Sequence, residues 1–395
     1  MGEHLSAPAC RGRCLILTAG MGDGHTPVAR ELARRLAPRG CAPIVLDVLD
    51  LLPPGVGAAL RIQYRLMLRW SPESYETVYQ RFQRPVLAAR TVAPVTALLR
   101  RAIERAVAAH RPRVVVSTFH LAGLAAGALR GDGRLAVPSV VVVNEFALHE
   151  VWLAPHTDLF CCPSVALARE ARGRTGRPAV APGPVVAPRF RPAPSDPELR
   201  RNLGADGDRR PILIGAGAWG TGTVRAAARV LAATGRYAPV VLCGRNDGLR
   251  RDLEDEGIGV ALGWQPDLAP LLNAADALID NAGGATCCEA FAVRTPVVAY
   301  RPLAGHGRAG TISLAHHGLL RFAAGSGELL THLDALTAPG PARDAQASRA
   351  AGLFAGDAVE DLLAWTDTFH RAGTRNVARR VSPRTRRAGA RIGPR

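Results

Sequence analysis

Between Ile279 and Pro302 the chain reads IDNAGGATCCEAFAVRTPVVAYRP, in the order strand, glycine-rich turn, helix, strand. Gly283 and Gly284 stand where the helix begins, and the first N–H groups of a helix have no partner within it. Gly283, Gly284 and Thr286 can therefore face an anion. Glu289 follows Thr286 by three residues, close to one helical turn, and returns a carboxylate to the same opening. Phosphate held by main-chain amides, beside a carboxylate that accepts sugar hydroxyls, is what a sugar nucleotide requires. The same residues would serve an ordinary helix as a capping box from Thr286 to Glu289. Taken alone, this stretch leaves both readings open.

Two further glycine turns carry chemistry. In AGMGDGHTPVA (19–29), Gly22 and Gly24 permit close backbone approach, and His25 opens a helix. A helix N-terminus disfavours a positive charge by about 0.3–1 kcal/mol. It thus favours neutral imidazole, the form that can take a proton. A histidine that only caps a helix would look the same. In GAGAWGTG (215–222), Gly217, Gly220 and Thr221 superficially resemble a dinucleotide fingerprint. Cys243 and Gly244 stand, however, where the ribose-binding acid of that fingerprint belongs. With 281–286, the turn reads instead as the second wall of one phosphate pocket. Asn144, Glu145, His149 and Trp152 follow an apolar VVVV run, a compact set for binding and activating a hydroxyl. Asn144 and Glu145 also suit an ordinary turn.

These turns need strands and helices to position them. At 395 residues the chain is long enough for two domains with proper cores. Strand signals at 14–20, 43–52, 113–119 and 138–146 alternate with helical stretches, which predicts a parallel sheet covered on both faces. Residues 181–207 are dense in Pro, Gly and Asp and read as a linker. The rhythm restarts at 211–217, 238–244, 258–263, 275–280 and 295–300. The fold class is α/β, two doubly wound Rossmann-like domains facing each other across a cleft that holds the ligand. We assign 1–190 to an N-terminal domain, 191–370 to a C-terminal domain whose last helices can pack back on the first, and 371–395 to a basic disordered tail.

Composition narrows the classes. A hydrophobic fraction of 48% fits a soluble globular protein. No apolar run reaches the roughly 18 residues of a spanning helix, and the N-terminus shows no secretory pattern. A cytoplasmic location is expected. None of the eight cysteines forms a CxxC pair, so reduced thiols and no bound metal are expected. All 50 basic residues are Arg, and the net charge is +17. Nine Arg and no acid lie from Arg371 onward, a composition that predicts disorder. Such a tail attracts anionic lipid at about 1 kcal/mol per basic residue, or nucleic acid without sequence preference. Within 57–82, Arg61, Arg65 and Arg69 recur at four-residue spacing, with Leu60, Tyr64, Met67 and Leu68 supplying apolar surface beside them. That pattern suits a helix lying on an anionic membrane, and equally an ordinary surface helix.

The motifs together carry a family resemblance. GDGHTPVA (22–29) resembles the GGGHxxxA turn of the monogalactosyldiacylglycerol synthase and processive diacylglycerol glucosyltransferase family. WSPESYE (70–76), the segment from Glu145 through His149 and Trp152 to Asp158, and GPVV (183–186) are similar to that family's first domain and linker. CGRNDGL (243–249), GWQPDLAPLLNAAD (263–276), NAGGATCCEA (281–290) and PLAGHG (302–307) resemble the donor domain it shares with the N-acetylglucosaminyltransferase that makes lipid II. The resemblance implies a GT-B glycosyltransferase that inverts the anomeric centre and needs neither metal nor cofactor. The donor would be a UDP-sugar, bound by the C-terminal domain, and the acceptor a lipid such as diacylglycerol, bound by the N-terminal domain.

The resemblance sharpens the site roles read from the residues. Glu289 would hold ribose hydroxyls, Gly284–Thr286 and the 217–221 turn the diphosphate, and Trp264 the uracil. His25 and Glu145 would form the catalytic centre, one as general base and the other orienting it. Gly22, Gly24, His149 and Trp152 would line the acceptor side. The Arg helix and tail would hold the enzyme at the inner face of the plasma membrane, with no specific nucleic-acid partner. Two departures stand out: Glu145 replaces the family's aspartate, and AGHGRAGT (304–311) replaces PGQExxNA. His306, Gly307 and Gly310 thus occupy positions that in the family face sugar and nucleotide. A soluble acceptor, an epimerase, and a UDP-sugar-binding protein without turnover are the competing readings.

Overall fold

The computed structural model describes residues 12–22 and 24–381. The first half holds β1 (Gly12–Thr18), β2 (Cys41–Asp47), β3 (Val114–Ser117), β4 (Ser139–Val142), β5 (Leu159–Cys161) and β6 (Ala179–Val180). The second holds β7 (Arg210–Gly215), β8 (Tyr237–Gly244), β9 (Val260–Gly263), β10 (Ala277–Asp280), β11 (Val297–Tyr300) and β12 (Arg321–Ala323). Every pairing is parallel, in the orders β2-β1-β3-β4-β5-β6 and β12-β11-β10-β7-β8-β9. The expected pair of doubly wound halves is present. Strand order reverses at β1/β3 in one sheet and β7/β10 in the other, so a ligand crevice lies at the carboxyl ends of those strands.

Period-two alternation builds the layers. Leu15 and Leu17 join one apolar cluster while Cys14 and Ile16 join the cluster on the opposite face. Ile212 and Ile214 alternate with Leu213 in the second half in the same way. Strands buried on both faces read as continuous apolar runs, which is why VVVS and SVVV form β3 and β4. One cluster continues across the halves, from Phe146, Trp152 and Phe160 to Leu272 and Phe291. The seven cysteines within the described residues are buried thiols.

The chain crosses between the halves twice. After the first crossing beyond β6, a second near Leu353 returns it to the first half as the helix Ala358–Val381. Ala358, Val359, Leu362 and Leu363 bury themselves among Ile16, Val28 and Leu32. Arg39 pairs with Glu360 at 2.9 Å. The disorder expected from Arg371 onward is corrected as far as Val381, the last described residue, which this helix includes. The remainder of the expected tail, 382–395, lies outside the described residues. No helix among the described residues is long and apolar enough to cross a membrane.

The 57–82 segment is two helices, Val56–Trp70 and Pro72–Phe82, broken at Ser71 (φ −146°, ψ 61°). A residue before proline is disfavoured in the helical region. The expected arginine stripe is also corrected. Arg61 is drawn into ion pairs with Asp47 (2.8 Å) and Asp50 (2.7 Å), leaving Arg65 and Arg69 exposed. Leu60, Tyr64, Met67 and Leu68 are half-buried against the protein, and the outward apolar residues are Ile62, Leu66 and Trp70.

Candidate active site

The loop after β1 takes a positive φ at Gly22 (+122°) and delivers Gly24 as the N-cap of the helix His25–Leu36. His25 Nδ1 lies 2.8 Å from the Thr118 carbonyl oxygen at the end of β3. A carbonyl only accepts, so this nitrogen carries the proton and Nε2 keeps its lone pair. Asn144, just beyond β4, donates to the same carbonyl at 3.2 Å. Burial pushes His25 down to about 4, so the ring is neutral at pH 7 and Nε2 is a competent base.

Around it stands a cage of rings. Phe119 and Trp152 have centroids 5.2 and 6.2 Å from His25. His120 lies 5.2 Å from His149 and 5.5 Å from Trp152. His149 Nε2 stands 3.7 Å from Glu145 Oε2. Burial lowers His149 to about 3 and raises Glu145 to about 7. His120 is held well below its usual range by burial, with further repulsion from His149, His25 and His306. His120 Nδ1, Asn144 Oδ1 and His149 Nδ1 are buried without a hydrogen-bond partner. Buried polar atoms normally have partners, so the cage suits a neutral ligand that brings hydroxyls. Among the described residues no three His, Cys, Asp or Glu gather as a metal site would require.

Burial of Glu145 predicts a stability effect. Its carboxyl ionises near 4.5 when unfolded and near 7 when folded. The folded state therefore loses stability as pH rises across that window. Glu145→Gln carries no charge to bury. It should be more stable than the parent by on the order of 1–3 kcal/mol at pH 8, with no difference near pH 4. Urea unfolding at the two pH values checks this.

In the second half, Asp280 ends β10, almost fully buried, and accepts from the amides of Ala282 (2.7 Å) and Gly283 (2.6 Å). This fixes the turn with Gly283 at φ +60°. The Gly283 amide expected to face a phosphate is thereby committed within the turn. The first-turn amides of the helix Ala285–Val293, capped by Gly284, remain for that role. The cap carries no side-chain hydrogen bond, so the capping box weighed for Thr286 and Glu289 does not form. Burial raises Glu289 to about 7.

Gly217, Gly220 and Gly222 all have positive φ. Asn246 Nδ2 donates to the Gly220 carbonyl at 3.1 Å. Asn281 Nδ2 donates to the Thr221 carbonyl at 3.0 Å, tying both glycine turns into one wall. Leu303 N donates to the Asn281 carbonyl at 2.7 Å and brings in the third loop. Gly307 lets the helix His306–His316 sit close: a Cβ there would stand 3.1 Å from Leu303 Cβ and 3.2 Å from the Asn281 oxygen. Trp264 is exposed just past β9 with the Arg245 guanidinium 3.9 Å over its ring. His306 Nδ1 meets Tyr75 Oη at 2.6 Å. Burial, with repulsion from His25 when both rings are protonated, lowers His306 to about 4, and the helix that carries Tyr75 also packs Tyr79 on His149 at 5.7 Å, so this loop reaches towards the cage.

The structure thus gathers His25, Glu145, His149 and Trp152 at one end of the cleft, with His306 arriving from the other half. Three further residues emerge only in three dimensions. His120 and Tyr75 line or brace the cage, beside the Asn144 already legible in the sequence, and Asp280 builds the glycine turn after β10. Asp280 had a signal: an acid at a strand end followed by a glycine turn is a ready acceptor for the turn amides.

Residues 25–186 match the family model described as monogalactosyldiacylglycerol (MGDG) synthase. A processive diacylglycerol β-glucosyltransferase of Bacillus mycoides (strain KBAB4) is 23% identical over 303 residues, 74% of this chain and 77% of that protein. Among solved structures, Os79 from O. sativa in complex with U2F and trichothecene superposes with a TM-score of 0.60 at 15% identity, covering 90% of this chain and 100% of that one. Acinetobacter baumannii MurG gives 0.53 at 14% identity, covering 90% and 99%. The motif resemblance therefore holds: the chain has the GT-B fold and is similar to the monogalactosyldiacylglycerol synthases and processive diacylglycerol glucosyltransferases.

Proposed function

We propose that the chain moves a hexose from a UDP-sugar onto the hydroxyl of a lipid such as diacylglycerol, with inversion and without a metal. The observation that carries this is His25, whose Nδ1 is bonded to the Thr118 carbonyl, leaving Nε2 as a neutral base in the cleft between the halves. Nε2 takes the acceptor proton as the acceptor oxygen bonds to the anomeric carbon. The bond from that carbon to the UDP oxygen breaks, and its electron pair leaves on the diphosphate. The first-turn amides and positive end of the helix Ala285–Val293 meet that charge. Glu145, whose Oε2 stands 3.7 Å from His149 Nε2 with no hydrogen-bond partner, orients a hydroxyl. Support for the donor comes from a neighbour solved as Os79 with UDP. Support for the acceptor comes from the diacylglycerol glucosyltransferase relatives.

The test is incubation of the full chain with UDP-glucose or UDP-galactose and diacylglycerol-containing vesicles, with mass spectrometry of the lipid extract. A lipid heavier by one hexose is expected. Sugar transfer to a soluble phenol but never to lipid would return the acceptor to the soluble class.

The lipid reading also needs a membrane-facing surface. Ile62 (50% exposed), Leu66 (47%) and Trp70 (71%) recur every four residues on the helix Val56–Trp70. Arg65 and Arg69 flank them, with the Arg69 guanidinium 4.9 Å over the Trp70 ring. An apolar stripe with basic neighbours is how a helix rests in an anionic interface, here the inner face of the plasma membrane. Leu66→Ser with Trp70→Ser should weaken partitioning to phosphatidylglycerol-containing vesicles about 10–100-fold. Co-sedimentation measures it, and undiminished binding would move the docking surface elsewhere.

A further inference from the structure

The helix pair 56–82 touches the donor half at two separate places. Tyr75 Oη bonds His306 Nδ1 at 2.6 Å, with the rings edge-on at 5.6 Å. One residue along, Glu76 Oε2 accepts from the Gly305 amide at 2.6 Å. Higher on the same pair, Tyr64 packs edge-on against Trp219 of the 217–222 turn at 5.8 Å and against Tyr75 at 5.5 Å. Gly305 is shaped for this contact. Its φ is +69°, and a Cβ there would lie 2.6 Å from a Tyr75 ring carbon and 3.1 Å from Tyr79 Cβ. The loop it belongs to is wired to the phosphate turns, since Leu303 N bonds the Asn281 carbonyl and Asn281 Nδ2 bonds the Thr221 carbonyl. A continuous hydrogen-bonded path therefore runs from the outward-facing helices of the first half to both glycine turns of the second.

We propose that Tyr75 and Glu76 are positioning residues for the transfer. They form a cross-domain latch that holds the 303–308 loop, and with it His306, over the donor site when the cleft is closed. This rests on the UDP-sugar reading above. Neither side chain reacts. The Tyr75 hydroxyl fixes the His306 ring, and the Glu76 carboxylate fixes the backbone one residue before it. The helix pair that carries the latch also carries Ile62, Leu66 and Trp70, so contact with the lipid surface and closure of the donor loop act on one rigid element.

Amide hydrogen exchange on the full-length protein separates this proposal from the reading beneath it. Without ligand, the Gly305 amide should exchange about ten-fold faster in Glu76→Ala, the loss of one hydrogen bond to a charged acceptor. Tyr75→Phe, which keeps the ring and its packing, should loosen 303–308 similarly. With UDP added, the parent should show slowed exchange across 56–82, although these helices belong to the other half. Tyr75→Phe should lose that protection while UDP affinity by calorimetry stays within about three-fold and kcat falls about ten-fold. Unchanged exchange at 303–308 in both ligand-free variants would overturn the latch. UDP that binds the parent with full heat yet leaves 56–82 unprotected would overturn it too. A parent that gives no heat with UDP strikes the donor reading instead, and the ligand-free comparison still decides the latch.

Discussion

His25→Ala should abolish transfer, lowering kcat by about 10²–10⁴-fold, while UDP binds with unchanged affinity. The two effects separate because His25 stands on the β1 side of the cleft, anchored to Thr118, and the phosphate turns belong to the other half. The pH profile sharpens the assignment. His25 is neutral above about 4, whereas Glu145 ionises only near 7. A kcat/KM that is already on its plateau at pH 6 identifies His25 as the base. A rise through pH 7 identifies Glu145. Steady-state kinetics on the parent, His25→Ala and Glu145→Gln give the answer. Normal turnover by His25→Ala would remove it from the mechanism.

Asp280→Ala should be the most damaging change on the donor side. Its carboxylate is buried and accepts two turn amides at 2.6–2.7 Å. Hydrogen bonds to charged groups are worth about 1.5–3 kcal/mol each. Without them Ala282 and Gly283 lose their acceptor, and the turn no longer presents the helix Ala285–Val293 at a fixed angle. We expect about 2–4 kcal/mol lower stability and UDP affinity weaker by about 10–100-fold. Calorimetry with UDP alone reads the second effect without needing an acceptor. Equal affinity in the variant would show that the turn is held by other means.

Much of the architecture was legible because parallel strands buried on both faces leave unbroken apolar runs. VVVS, SVVV and ALID could hardly be anything else once glycine turns followed them. β5, β6 and β12 escaped notice because two or three residues are too few to show a period. His25 was visible because its chemistry depends on a local feature, the start of a helix. His120 was not, because its importance comes from His149 and Trp152, which a different strand delivers. The arginine stripe illustrates the opposite error. Four-residue spacing placed Arg61 beside Arg65 and Arg69, but the acids that claim Arg61 come from the end of β2 and the turn after it. Periodicity reports a face of a helix and not what that face meets. The turn after β10 is legible as a turn, yet the Gly283 amide that spacing offers to an anion is taken by Asp280, which only the folded turn brings beneath it.

The double crossing of the chain has a consequence for how such an enzyme can vary. The two connecting segments run side by side: a Cβ on Gly183 would collide with the Leu353 carbonyl, and one on Gly356 would press on Pro182. The second half therefore enters and leaves through a single narrow stalk, while the helix Ala358–Val381 seals the body it leaves. Topologically that half is an insert, a cassette whose ends already meet. On the proposed function, exchange at the stalk between related enzymes would change the sugar delivered and keep the seat for the lipid, so the two specificities are free to evolve apart.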